Sequence, residues 1–126
     1  DDYAHHPEEI RRTLETLKEL FPGKRLTGVF QPHLYSRTKD FAPEFAKSLG
    51  LLDECILLPV YPARELPIKG VSSELIAKYM KTKQPIMMEK EDLPDYISEN
   101  KPEVLITLGA GDIDRLTEPL KERMSE

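Results

Sequence analysis

Cysteine occurs once in the chain, as Cys55 in the apolar run CILLPVY. That excludes a disulfide framework, and a lone buried thiol suits a reducing compartment without supplying chemistry. Basic charge is also scarce. Lysine and arginine number 18 against 23 aspartate and glutamate, a formal net charge of −5. A nucleic-acid-binding surface would be basic and would show lysine or arginine clusters. No apolar run approaches the ~18–20 residues needed to span a membrane. The opening Asp1-Asp2-Tyr3 has neither the basic nor the apolar stretch of a secretory signal. Repeats, low-complexity segments and linkers are missing, and so is a G-x-x-G-K-[ST] phosphate loop. The expected address is the cytoplasm.

What is present fits one soluble domain. The 126 residues are 39% hydrophobic and 33% charged, enough to bury a core without disulfides or metal. Residues 8–21 carry Ile10, Leu14, Leu17, Leu20 and Phe21 at helical spacing. Pro7 fits the first helical position, Glu8 and Glu9 suit the positive N-terminus, and Pro22-Gly23 stops the helix. LTGVFQ, Leu26 to Gln31, reads as a strand. Phe41, Ala42, Phe45, Ala46 and Leu49 form a second helical stripe, in which Pro43 is expected in the first turn. Cys55 to Leu58 is a strand, and the proline-rich stretch Val60 to Gly70 a loop. A short helix through Leu75, Ile76, Tyr79 and Met80 precedes a strand from Ile86 to Met88. Another short helix, Leu93 to Ile97, leads into a strand from Val104 to Leu108. A last helix carries Ile113, Leu116, Leu120 and Met124 and is expected to bend at Pro119. This alternation predicts an α/β, Rossmann-like three-layer domain with a mostly parallel sheet and helices on both faces.

Ligands of such sheets bind beyond the carboxyl ends of the strands. Two chemistry-bearing segments lie directly after strands: Gln31 to Thr38 (QPHLYSRT), and Gly109-Ala110-Gly111-Asp112. A third, Asp2 to Pro7 (DYAHHP), enters the first helix, and all three histidines of the chain fall in it or in QPHLYSRT. Arg37 offers a planar fork of donors to a carboxylate or phosphate. His5 and His33 can donate to the same anion or exchange a proton near neutral pH. Asp2 suits the hydroxyls of a ribose. The glycines of Gly109-Ala110-Gly111 let the backbone approach a ligand, with a helix N-terminus behind them. Plainer readings stand beside these. The G-A-G turn can be only a tight connection, Asp112 a helix cap, and Arg37 a solvated surface residue. Adjacent His5 and His6 lack the spacing and partners of a metal site, and no metal is expected. Residue chemistry alone thus supports a small anionic ligand at the sheet edge and names no reaction.

Together the segments DDYAHHPEEI, GVFQPHLYSRT, VYPARELPI and LGAGDID resemble the C-terminal, amino-acid-binding domain of the Mur ligases. D-Y-A-H-x-P is shared widely in that family and, more loosely, with folylpolyglutamate synthetases. Q-P-H-x-Y-S-R-T is more specific and is similar to the branch that joins L-alanine to UDP-N-acetylmuramate. The resemblance implies a three-domain parent enzyme with UDP-binding and ATPase domains upstream of residues 1–126, so that this chain is expected to be a fragment inactive alone. It implies an acyl phosphate made with ATP and Mg2+, none held by this domain by itself, then attack by the amine of L-alanine. It implies that Asp2 contacts the ATP ribose and that His5, the catalytic candidate, sits near the phosphates or the incoming amino acid. Tyr3, His33 and Arg37 would line the alanine pocket, and the backbone of Gly109, Ala110 and Gly111 would close it. Leu34 stands where many members carry arginine, and Pro59 where an acidic residue is frequent. Alternatives are a related ligase with another amino acid or a polyglutamyl substrate, a stand-alone nucleotide- or amino-acid-binding module, or an interaction domain with no clustered site.

Overall fold

The computed structural model describes residues 6–81 and 83–109. Four strands, β1 (Leu26–Gln31), β2 (Glu54–Leu57), β3 (Ile86–Met87) and β4 (Val104–Gly109), form one sheet in the order β3-β2-β1-β4. Every pairing is parallel. The helices are α1 (Pro7–Leu20), α2 (Tyr35–Leu49), α3 (Ser73–Tyr79) and α4 (Leu93–Asn100), the last preceded by a 3-10 turn at Lys90–Asp92. Strands and helices alternate as the sequence predicts.

β1 is central and buried along its whole length, so its residues feed two cores in turn. Leu26 and Phe30 face one side with Cys55, Leu57, Ile106 and Leu108. Ile10 and Leu14 of α1, Phe45 and Leu49 of α2 and Ile76 of α3 cover that side. Val29 faces the other side with Ile56 and Leu58, under Leu93 and Ile97 of α4. Buried on both faces, these strands read as continuous apolar runs. Burial pushes the Cys55 thiol up to about 12, which leaves it an inert core group.

One expectation is refined and one corrected. α1 keeps Ile10 and Leu14 fully buried, but Leu20 is 65% and Phe21 42% exposed. The apolar spacing thus continues to the end of the helix although its last positions stay largely exposed. Pro43 is not in a first turn: α2 begins at Tyr35 and carries Pro43 in its interior. Its first turns, YSRTKD, are polar and show no apolar stripe, so periodicity places the start too late. Pro43 lies on the exposed face of the helix. A carbonyl that loses its helical partner there can turn to water. The last helical stripe, Ile113 to Met124, and the bend at Pro119 lie outside the described residues. Among the described residues no helix is long and apolar enough to cross a membrane.

The strand order sets the site. The chain steps from β1 outward through β2 to β3, then crosses to the opposite side of β1 for β4. The strand order therefore reverses between β1 and β4, the arrangement that opens a ligand crevice at the carboxyl edge of parallel sheets.

Candidate functional site

Gln31 and Gly109 are paired at the carboxyl ends of β1 and β4. Gly109 adopts φ +117°, and a Cβ built there would stand 2.4 Å from the Gln31 carbonyl oxygen. Only glycine lets the two strand ends approach this closely. Gln31 is buried, with its Nε2 a long 3.5 Å from the Pro59 carbonyl and its Oε1 without a hydrogen-bond partner among the described residues.

Beyond Gln31 the chain turns within three residues into α2. Leu34 is the N-cap, with φ +73° and no side chain able to accept from the helix. A bulky residue in this region is uncommon and costs about 1–3 kcal/mol. The surroundings hold it there. Leu34 N–H donates to the Tyr61 carbonyl at 2.9 Å, and the Leu34 carbonyl accepts from Thr38 N–H at 3.1 Å and Thr38 Oγ1 at 2.8 Å. Tyr61 N–H in turn donates to the Pro32 carbonyl at 2.8 Å. The loop after β2 is thus stitched to the segment after β1, and His33 forms an isolated parallel bridge with Tyr61.

Side chains follow this backbone. The His33 and Tyr61 rings stack with centroids 5.8 Å apart and planes 22° from parallel. One turn into α2, Arg37 Nη1 stands 3.3 Å from His33 Nδ1. A guanidinium can only donate, so Nδ1 accepts and the proton of a neutral His33 sits on Nε2. Both residues are half-buried. Glu65 reaches back from the same loop to α2, where it accepts from Ser36 N–H at 3.1 Å and from Ser36 Oγ. The Ser36 hydroxyl and amide, with the Tyr35 amide, hold the Glu65 carboxyl below the usual carboxylate range. A cavity of about 250 Å³ opens on the far side of Tyr61, bordered by Gln31 and Pro59 and by Glu89, Lys90 and Glu91; His33 and Arg37 do not line it. Among the described residues no group of His, Cys, Asp or Glu could hold a metal ion.

This edge can bind a small anion. Arg37 is an oriented donor fork and His33 has a defined tautomer.

A family model described as "Mur ligase, glutamate ligase domain" matches residues 1–111. The chain belongs to the Mur ligase family. It is 55% identical over 122 residues to the UDP-N-acetylmuramate–L-alanine ligase of Parabacteroides distasonis, covering 97% of this chain and 26% of that one. The UDP-N-acetylmuramate–alanine ligase of Thermotoga maritima superposes with a TM-score of 0.77 at 34% identity, over 99% of this chain and 26% of that structure. Folylpolyglutamate synthase of Thermotoga maritima, at 18% identity, shares the fold with a TM-score of 0.63 over 99% of this chain and 29% of that structure. The chain spans about a quarter of the length of the curated relatives it matches.

In this Mur ligase domain, His33, Arg37 and Gly109 all lie at the carboxyl edge, and His33 and Arg37 are in direct contact. The expected site residues Asp2, Tyr3, His5, Ala110 and Gly111 lie outside the described residues. His6, at the N-cap of α1, packs its ring on Phe41 with centroids 5.1 Å apart. Sequence reasoning gave no role to Tyr61, Glu65 or Gln31. VYPARELPI leaves β2 at the same edge as QPHLYSRT leaves β1, so the parallel-sheet rule already placed the two loops side by side. Which residue of one meets which of the other depends on the turn at Leu34, and no pattern announces a leucine at positive φ.

Proposed function

We propose that the chain is the C-terminal domain of a UDP-N-acetylmuramate–L-alanine ligase, an ATP-dependent acid–amino-acid ligase of peptidoglycan synthesis. The observation that carries this is the contact of Arg37 with His33 at the carboxyl edge, inside the segment QPHLYSRT. The 55% identity to a ligase of that name supports it across 97% of the chain.

Arg37 takes the α-carboxylate of L-alanine in a charge-assisted pair. His33, with Nδ1 turned to Arg37, holds the guanidinium in place. Tyr3 completes the alanine pocket and the backbone of Gly109, Ala110 and Gly111 closes it. Asp2 meets the ribose of ATP, and His5 stands near the phosphates or the incoming amine. Mg2+ and most of the contacts to ATP and UDP-N-acetylmuramate belong to other parts of a longer enzyme. When bound, ATP supplies the activation of the muramic acid carboxylate. This chain's part is to hold the amino acid so that its amine meets that carbon, which is catalysis by positioning. Such an enzyme works in the cytoplasm, where its nucleotide substrates are made.

The test is release of ADP by the full-length enzyme with UDP-N-acetylmuramate and Mg2+, assayed over a panel of amino acids. L-Alanine should support turnover, and acidic or diamino acids should not. Preference for glutamate or a folate-like acceptor would contradict the reading.

A further inference from the structure

Helix α2 begins without a cap of its own. The first turn contains no acidic residue, and its N-cap Leu34 has no side-chain acceptor. An uncapped first turn leaves backbone N–H groups without partners, and here that turn carries Ser36 and Arg37. The acceptor comes from elsewhere in the chain. Glu65, twenty-nine positions from Ser36, accepts both the Ser36 N–H and the Ser36 hydroxyl. Its approach is built in: Glu65 N–H closes a turn on the Pro62 carbonyl at 2.9 Å, with Ala63 at φ +54°. That turn bends the loop back onto the helix. The loop is then fixed at two points, Tyr61 against His33 and Leu34, and Glu65 against Ser36.

We propose that Glu65 is a positioning residue for the anion-binding pair, capping α2 across the loop and so fixing the turn from which Arg37 reaches His33. This rests on the reading of Arg37 as the alanine-carboxylate partner. Glu65 touches no substrate. Its carboxylate adds negative charge at a helix N-terminus, where it is stabilising, and points at Ser36 rather than at Arg37, so it does not compete for the guanidinium. Removing it frees both the loop carrying Tyr61 and the first turn of α2, and Arg37 loses its fixed aim. Misplacement of a binding group by about 1 Å can cost up to a hundredfold in rate.

The experiment uses the full-length ligase carrying this segment, with Glu65→Ala, Ser36→Ala and Arg37→Ala assayed in parallel for all three substrates. Glu65→Ala should raise the alanine KM roughly tenfold or more, with the KM values for ATP and UDP-N-acetylmuramate moving little. Ser36→Ala should shift the alanine KM the same way by less, and Glu65→Gln, which keeps a neutral acceptor, should recover part of the loss. A purely structural cap predicts a lower melting temperature with the alanine KM unchanged below it, and that result overturns the proposal. Should Glu65→Ala not fold, an unchanged alanine KM in both Ser36→Ala and Glu65→Gln overturns it equally. If Arg37→Ala raises the alanine KM and the Glu65 and Ser36 variants do not, the positioning role alone fails. If Arg37→Ala leaves it unchanged, the alanine reading fails and takes the proposal with it.

Discussion

Arg37 donates to Nδ1 of His33 across one turn of α2, at 3.3 Å, and that contact fixes both the tautomer of the imidazole and the direction of the guanidinium. Neither residue is held by its own element alone. His33 is stacked on Tyr61 of the next loop, and Leu34 between them is kept at positive φ by the Tyr61 carbonyl and Thr38. The site is a junction of two loops that follow neighbouring strands of a parallel sheet.

Gly109→Ala should destabilise the protein by about 2–4 kcal/mol, since the added Cβ meets backbone and the φ is strained. The Cβ would lie 2.4 Å from the Gln31 carbonyl oxygen, an atom that cannot move without displacing β1. Denaturant unfolding measures the change. A loss below about 0.5 kcal/mol, the range of ordinary surface changes, would show that the strand ends are farther apart.

Leu14→Ala and Leu20→Ala separate the buried from the unsupported part of α1. Leu14 is fully buried and Leu20 65% exposed. The first change should cost about 2–5 kcal/mol and the second less than about 0.5 kcal/mol. Equal costs in thermal or denaturant unfolding would mean that the end of α1 packs against something.

Much of this fold is legible in the sequence because burial on both faces of a parallel strand leaves a plain signature. β1, β2 and β4 fall within a residue of the apolar runs that announce them. Helix starts are less legible. The first turns of α2 are polar and are held by Thr38, Ser36 and the distant Glu65, so no local apolar period marks them. At Leu20 and Phe21 the apolar period persists while the side chains stay largely exposed, because spacing alone does not report burial. At the site, residue chemistry indicates Arg37 and His33, and the strand order places them. Their contact requires the turn at Leu34 and the loop carrying Tyr61, which are tertiary facts.

The cap on α2 should depend on pH with a definite sign. The Glu65 carboxyl is held below the usual carboxylate range by its Ser36 hydrogen bonds. A carboxyl with a depressed folded value stabilises above its unfolded value and loses that contribution as pH falls through the folded one. The carboxyl carbon of Glu65, followed by NMR, should titrate below an ordinary glutamate, and exchange of the Ser36 amide should accelerate over the same interval. A midpoint at or above the ordinary value would mean that the cap does not form in solution.

The central claim is that this edge binds the carboxylate of L-alanine through Arg37. Its most direct test is steady-state kinetics of the full-length ligase with Arg37→Ala and Arg37→Lys, varying each substrate in turn. Removing one partner of a desolvated guanidinium–carboxylate pair costs about 2–5 kcal/mol. Arg37→Ala should therefore lower kcat/KM for L-alanine by that margin, while ATP and UDP-N-acetylmuramate are affected less. Lysine keeps the charge without the fork and should restore only part of the activity. An unchanged alanine KM together with an unchanged kcat would remove Arg37 from the site.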